Sequence, residues 1–271
     1  MDYSGKVVAI TGGARGIGLA MARAFYAKGA KIALADLEGA EAAAAEFSGY
    51  GARVDVTNES QIKAFITETE SHLGPIDVYV SNAGILRTDD PSWDAAAADD
   101  AAWQASFEVN VMGAVRGARQ VWPGMRTRGG GVFILVASAA GLLAQIGASS
   151  YTATKHAAVS FAESLSIAHG DEGLQVVCVC PQAVRTDMLG GSEDGGIAGA
   201  DGIVEPEDVA KEVLAAIDEK RFLALPHSTV AGYEQARASQ RDRWLGGMGN
   251  TDGRVGRVHS RQFFHFIEFR A

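Results

Sequence analysis

Cysteine is nearly absent: Cys178 and Cys180 are the only two in 271 residues. They stand two apart in LQVVCVCP, where strand alternation puts both on one face and their closeness makes a bridge between them awkward. They read as small buried residues of a reducing compartment, not as a disulfide framework, a redox pair or a metal site. No run of about 18 apolar residues occurs, so no membrane span is expected. The opening stretch, MDYSGKVVAITGG, carries neither a basic start nor a long apolar core of the signal-peptide kind, and the protein is expected to be soluble and cytoplasmic. Positive charge is also short: 24 Lys and Arg face 33 Asp and Glu, a net charge of −9. Nucleic-acid binding needs a basic face, so that class is excluded. No internal repeat or heptad pattern is visible.

What is present is an alternation of apolar runs and helical patterns, with 47% apolar residues, enough for one sizeable α/β core. Residues 6–10, KVVAI, form a continuous apolar run expected for a strand buried on both faces. They lead into TGGARGIG at 11–18, a helical pattern stopped by Gly29, and a second strand, KIALA at 31–35, followed by Asp36. A strand, a glycine-rich turn, a helix and a parallel strand ending in an acid make up a dinucleotide-binding unit. Gly12 permits the sharp turn, Gly16 leaves room for a pyrophosphate at the helix N-terminus, and Gly18 lets helix and strand pack closely. The Asp36 carboxylate can accept hydrogen bonds from the adenosine ribose and would repel a 2′-phosphate, which favours NAD over NADP. Arg15 is the counterweight, since its guanidinium can reach a 2′-phosphate. Further strands are expected at 52–56, 76–80, 131–137, 174–180 and 222–225, with Gly49 and Gly51 stopping the helix that begins at Ala40. Residues 87–101 read as an acidic surface stretch and 188–204 as a mobile lid rich in glycine and acids. A single domain over 1–245 is followed by a tail, 246–271, read as a flexible end or an arm to a neighbouring subunit.

The densest chemistry lies in SAAGLLAQIGASSYTATK at 138–155. Ser138 ends an apolar run, and Tyr151 and Lys155 are spaced i and i+4, one turn apart on a helix face. An ammonium about 4 Å from a phenol, at an effective dielectric of about 20, favours the phenolate by about 4 kcal/mol. That is roughly 3 pKa units before desolvation, so the phenol is expected to titrate near about 7. Asn110 interrupts an otherwise apolar helix expected over 102–128, an unfavourable place for asparagine.

Together, TGGARGIG at 11–18, Asp36, Asp55-Val56, SNAG at 81–84, Asn110, Ser138, YTATK at 151–155 and PQAVRT at 181–186 resemble the short-chain dehydrogenase/reductase family, over about residues 5–225. The resemblance implies a Rossmann-type doubly wound sheet of about seven parallel strands, in the order 3-2-1-4-5-6-7, with helices on both faces. It implies hydride transfer between a nicotinamide and an alcohol or carbonyl. Tyr151 would be the general acid/base, and Lys155 would lower its pKa and hold the nicotinamide ribose. Ser138 would hydrogen-bond the substrate oxygen, and Asn110 would hold a water linking Lys155 to solvent. Asp55 and Val56 would contact adenine, Asn82 the adenosine-side backbone, and Val184 with Thr186 the nicotinamide carboxamide. Ile17, Ala83, Gly84 and Pro181 complete the cofactor contacts carried over. Two residues depart from the family pattern: Ser81 stands where Asn is usual, and Gln182 where Gly is usual. The family commonly assembles through the helices that include Asn110 and Tyr151, which makes a homotetramer or homodimer the expectation.

For the substrate pocket the expected lining is Ala140, Leu142, Leu143, Ile146, Met188 and Leu189, with Gln182 beside the nicotinamide. These side chains are mostly apolar and include no basic cluster for a carboxylate or phosphate. A neutral, moderately hydrophobic secondary alcohol or ketone fits them, with oxidation as the NAD-linked direction and no metal. One rival is a 3-oxoacyl thioester (acyl carrier protein) reductase, which would prefer NADPH and a basic docking surface. The other is a catalytically silent NAD-binding sensor, which would not need the base.

Overall fold

Alternating side chains in the strands feed two separate cores, one on each face of a single sheet. In β1 (Val7–Thr11), Val7 and Ala9 point to one side while Val8 and Ile10 point to the other. The same division runs through β2 (Lys31–Asp36), β4 (Ile76–Ser81), β5 (Gly131–Val136) and β6 (Leu174–Val179), all apolar on both faces as buried parallel strands must be. A computed structural model describes residues 2–89, 94–190 and 194–249. The sheet has seven parallel strands in the order β3-β2-β1-β4-β5-β6-β7, as expected.

One core lies under α1 (Gly16–Tyr26), α2 (Ala40–Ala45) and α7 (Pro206–Asp218); the other lies under α3 (Glu59–Leu73), α5 (Gly113–Thr127) and α6 (Ser149–His169). Phe25 anchors the first and Phe133, stacked on Tyr79, the second. Cutting either buried ring to alanine would cost about 3–5 kcal/mol. Cys178 and Cys180 face the second core as free thiols with their Sγ atoms 3.8 Å apart.

Helix starts follow local chemistry. Asn58 caps α3 by accepting from the Ser60 and Gln61 amides. Glu205 and Asp208 form a reciprocal capping box on α7, with Pro206 in its first turn.

Two boundaries move. The third strand, β3, spans Tyr50–Arg53 and not 52–56. Gly51, expected as a helix stop, lies inside it; a Cβ there would stand 2.5 Å from Ala40 O, so glycine lets this edge strand press against α2. The last strand, β7, is only Leu223–Ala224. The helix expected over 102–128 is present but interrupted: α4 (Asp100–Phe107) passes through a π-helical turn, Glu108–Met112, into α5. After β7 the chain forms α8 (Thr229–Ser239) and α9 (Arg241–Gly249), and α9 runs on past residue 245. The rest of the stretch expected as a tail lies outside the described residues. No described helix is long and apolar enough to cross a membrane.

Candidate active site

The strand order reverses direction between β1 and β4, and ligands of such sheets bind beyond the carboxyl ends of the strands there. A cavity of about 880 Å³ opens at that place. It is lined by Gly12, Arg15, Gly16, Ile17, Asp36, Asp55, Val56, Asn82, Ala83, Gly84, Pro181, Val184 and Thr186. Gly18 is the one expected cofactor residue that does not line it. Its part is to be absent as a side chain, because a Cβ there would stand 2.2 Å from Gly12 O. Asn82 at the end of β4 donates to Thr11 O at 3.1 Å and to Gly12 O at 2.7 Å, which fastens the glycine turn to the neighbouring strand.

No side chain caps α1, and no acid lies in its first turn, so its free N–H groups are open to an anion. The Asp36 carboxylate accepts from Ala14 N at 3.1 Å and Leu37 N at 2.8 Å, which fixes its position at the mouth of β2. Arg15 is turned to Asp187, 3.1 Å away. The uncapped helix, the glycine clearance and the fixed carboxylate fit a dinucleotide. Asp55 also caps its own turn, accepting from Thr57 N and Oγ1.

Ser138, Tyr151 and Lys155 line the same cavity. The Ser138 Oγ accepts from Ala140 N at 3.1 Å and reaches Pro181 O at 3.4 Å. Lys155 is only 4% exposed, and its Nζ donates to Val136 O at 3.0 Å and sits 5.5 Å from the Tyr151 ring centre. The electrostatics differ from the sequence expectation. Burial pushes the Tyr151 phenol above its ordinary value, against a lowering contact with Ser138, and burial pulls Lys155 down to about 8. The expectation of a phenol near neutrality omitted the desolvation of Tyr151 itself, which dominates in the chain alone.

Asn110 sits in the π-helical turn and does not line the cavity. Its Oδ1 accepts from Ile85 N at 2.8 Å, and its Nδ2 donates to Ile85 O at 3.0 Å and Thr154 Oγ1 at 3.1 Å. Both amide hydrogens are thus committed, and the side chain ties the loop after β4 to the helix carrying Tyr151 and Lys155.

The family model described as short chain dehydrogenase matches residues 6–195. The chain belongs to the short-chain dehydrogenase family. It is 32% identical over 248 residues to 3beta-hydroxysteroid dehydrogenase 2 of Eggerthella lenta, covering 84% of this chain and 94% of that one. It is 31% identical over 236 residues to glycine betaine reductase ATRR of Emericella nidulans, which covers 82% of this chain but only 18% of that much longer protein. Among solved structures, a short-chain dehydrogenase/reductase from Burkholderia phymatum in complex with NAD superposes with a TM-score of 0.78 at 28% identity, over 89% of this chain and 96% of the other.

In this short-chain dehydrogenase the cavity takes in most, but not all, of the residues expected to line a substrate pocket. Ala140, Leu143, Gln182, Met188 and Leu189 line it, together with Ile85 and Leu86. Leu142 does not; it is buried in the second core. Ile146 also lies off the cavity, while Ala144 and Gln145 line it in its place. Residues 139–141 form a short 3-10 turn directly before Leu142.

The far wall comes from α8 and α9: Tyr233, Trp244 and Met248. Sequence reading missed these. The signal available was an i, i+4 pair, Trp244 and Met248, in a helical stretch. Asp89 was also missed inside the stretch taken as acidic surface. Its carboxylate accepts from Ser149 N and, at 2.7 Å, from Ser149 Oγ, which caps the start of α6 two residues before Tyr151. The expected lid is pinned over its second half, with Ala183 N bonded to Ala198 O and Val204 N to Ala183 O. Its residues 191–193 lie outside the described residues.

Proposed function

We propose that this oxidoreductase interconverts a neutral, moderately hydrophobic secondary alcohol and its ketone with NAD. The observation that carries the reading is the meeting of Ser138, Tyr151 and Lys155 in one cavity with the glycine turn and Asp36. Bound there, the nicotinamide would supply the hydride acceptor. Gly12, Gly16 and the α1 N-terminus would hold its pyrophosphate, Asp36 its adenosine ribose, and Pro181, Val184 and Thr186 its nicotinamide end. The Ser138 hydroxyl can turn from Pro181 O to the substrate oxygen. The Tyr151 oxygen, as phenolate, then takes the alcohol proton in oxidation, and as phenol it returns that proton in reduction. The Lys155 ammonium favours the phenolate at that moment, so its positive charge opposes the burial that holds the phenol protonated.

NAD is favoured over NADP because Asp36 is fixed at the ribose position while Arg15 is paired with Asp187. The net charge of −9 disfavours docking of an acidic carrier protein, and the complete Ser138, Tyr151 and Lys155 set disfavours a silent sensor. Trp103, Phe107 and Ile167, all exposed apolar residues on α4 and α6, support assembly with further copies of the chain.

The test is NADH formation across a panel of secondary alcohols. Wild type should turn over at least one of them, and Tyr151→Phe should lose about 10²–10⁴-fold in rate while retaining NADH binding. NADH binding without turnover of any alcohol or ketone would move the reading to the sensor. Tighter binding of NADP than of NAD would refute the role of Asp36.

A further inference from the structure

His227 lies between β7 and α8, outside every motif that marks the family, and is only 5% exposed. Both ring nitrogens are engaged. The Gln182 amide N–H donates to Nδ1 at 3.2 Å, and Nε2 faces Gly202 O at 3.2 Å. A main-chain N–H only donates and a carbonyl only accepts. The partners therefore require a bare Nδ1 and a hydrogen on Nε2, the neutral ring in one tautomer. The imidazolium would set one N–H against another.

The surrounding bonds make this ring a clasp. Gln182 opens the turn that leads to Val184 and Thr186, and Gly202 closes the segment that returns over it. Val204 N is bonded to Ala183 O, and Arg185 N to Val204 O. Next to Gly202, the Asp201 carboxylate accepts from Thr229 Oγ1 at 2.9 Å and from the Tyr233 hydroxyl at 3.0 Å. The start of α8 thus holds both ends of the segment, and His227 is the piece that reaches the turn itself.

We propose that neutral His227 is a positioning residue, which holds the turn beginning at Gln182 in the shape that receives the nicotinamide end of the cofactor. The proposal rests on the reading of Pro181, Val184 and Thr186 given above. Burial holds the His227 pKa below its ordinary 6.5, while the bond to Gly202 and the Asp201 carboxylate work in the opposite direction. Asp201 is the charged group that acts on the ring from the returning segment. On α8 the titratable member of the cluster is Tyr233, tied to Asp201, and the turn contributes Gln182, which does not titrate. With the folded-state pKa depressed, the clasp is complete above the ordinary histidine value and is lost as the pH falls through the lower folded value.

The experiment is a fluorescence titration of NADH binding from about pH 8 to about pH 5 on the full chain, for wild type, His227→Gln, His227→Asn and His227→Phe. An amide side chain offers one acceptor and one donor without titrating. Wild type should weaken about tenfold in acid, and the better-fitting amide variant should keep the neutral-pH affinity and lose that acid limb. The Phe variant should be about tenfold weaker at every pH. Ring ¹⁵N shifts of wild type should show hydrogen on Nε2 alone, a readout independent of how well any variant folds. An acid limb that persists in both amide variants, wild-type affinity in the Phe variant, or hydrogen on Nδ1 would overturn the proposal. Wild type that binds no NADH even at neutral pH would instead bring down the functional reading, and this proposal with it.

Discussion

Asn82 Nδ2 donates to Gly12 O at 2.7 Å, and so the end of β4 holds the glycine turn that follows β1. The cofactor crevice is therefore shaped from the neighbouring strand as well as by its own glycines. Asn82→Ala removes this bond and the one to Thr11 O, each worth about 0.5–1.5 kcal/mol. NADH affinity should fall about tenfold or more, measured by titration, with a smaller drop in melting temperature.

Lys155 gives the opposite balance between stability and activity. Its folded pKa of about 8 lies below the ordinary 10.5, so the fold penalises the charged form. Between those values the unfolded chain holds the proton and the folded chain does not, and stability rises with pH. Lys155→Met should remove a penalty on the order of 3 kcal/mol, offset by loss of the bond to Val136 O. Thermal melts without cofactor should show the variant more stable at neutral pH, with the gain fading in strong alkali, and turnover should be lost.

Gly84 faces the gap between Asn110 and Lys155. A Cβ there would stand 3.3 Å from Asn110 Oδ1 and 3.4 Å from Lys155 Nζ. Gly84→Ala should leave the melting temperature nearly unchanged and lower kcat by about tenfold to a hundredfold, because the methyl occupies the space beside the ammonium. An unchanged kcat would show that nothing polar needs that space.

Trp244 in α9 should affect substrate and leave the cofactor alone. Trp244→Ala opens the apolar wall, and KM should rise about tenfold or more for the alcohol that wild type prefers. NADH affinity should stay as it was. Steady-state kinetics on the alcohol panel, with a parallel NADH titration, checks both halves.

The legible parts of the sequence were those where one physical requirement acts over a short stretch. Buried parallel strands need continuous apolar runs, and β1, β2, β4, β5 and β6 were found that way. The turn at 11–18 needs glycine for clearance, and Tyr151 with Lys155 needs only helical spacing. What escaped depends on distance. Asp89 acts on Ser149, 60 residues away. His227 acts on Gln182, 45 residues away. Gly51 was misread because glycine marks both a helix stop and a close approach, and only the position of α2 decides between them. Leu142 and Leu143 look alike in sequence and both pack in the second core, yet only Leu143 also reaches the cavity. The Tyr151 phenol was misjudged because charge spacing is local while burial belongs to the whole fold.

The cavity draws its walls from Gly12 near one end of the described chain and Met248 near the other. Parallel strands joined by crossovers make such long-range closures slow relative to helix formation. Helical circular dichroism should thus return early when the unfolded chain is diluted into buffer, while NADH binding returns only once β1, β4 and the turn at 181–186 have met. In this protein, nucleotide binding reports the late joining of distant parts of the chain.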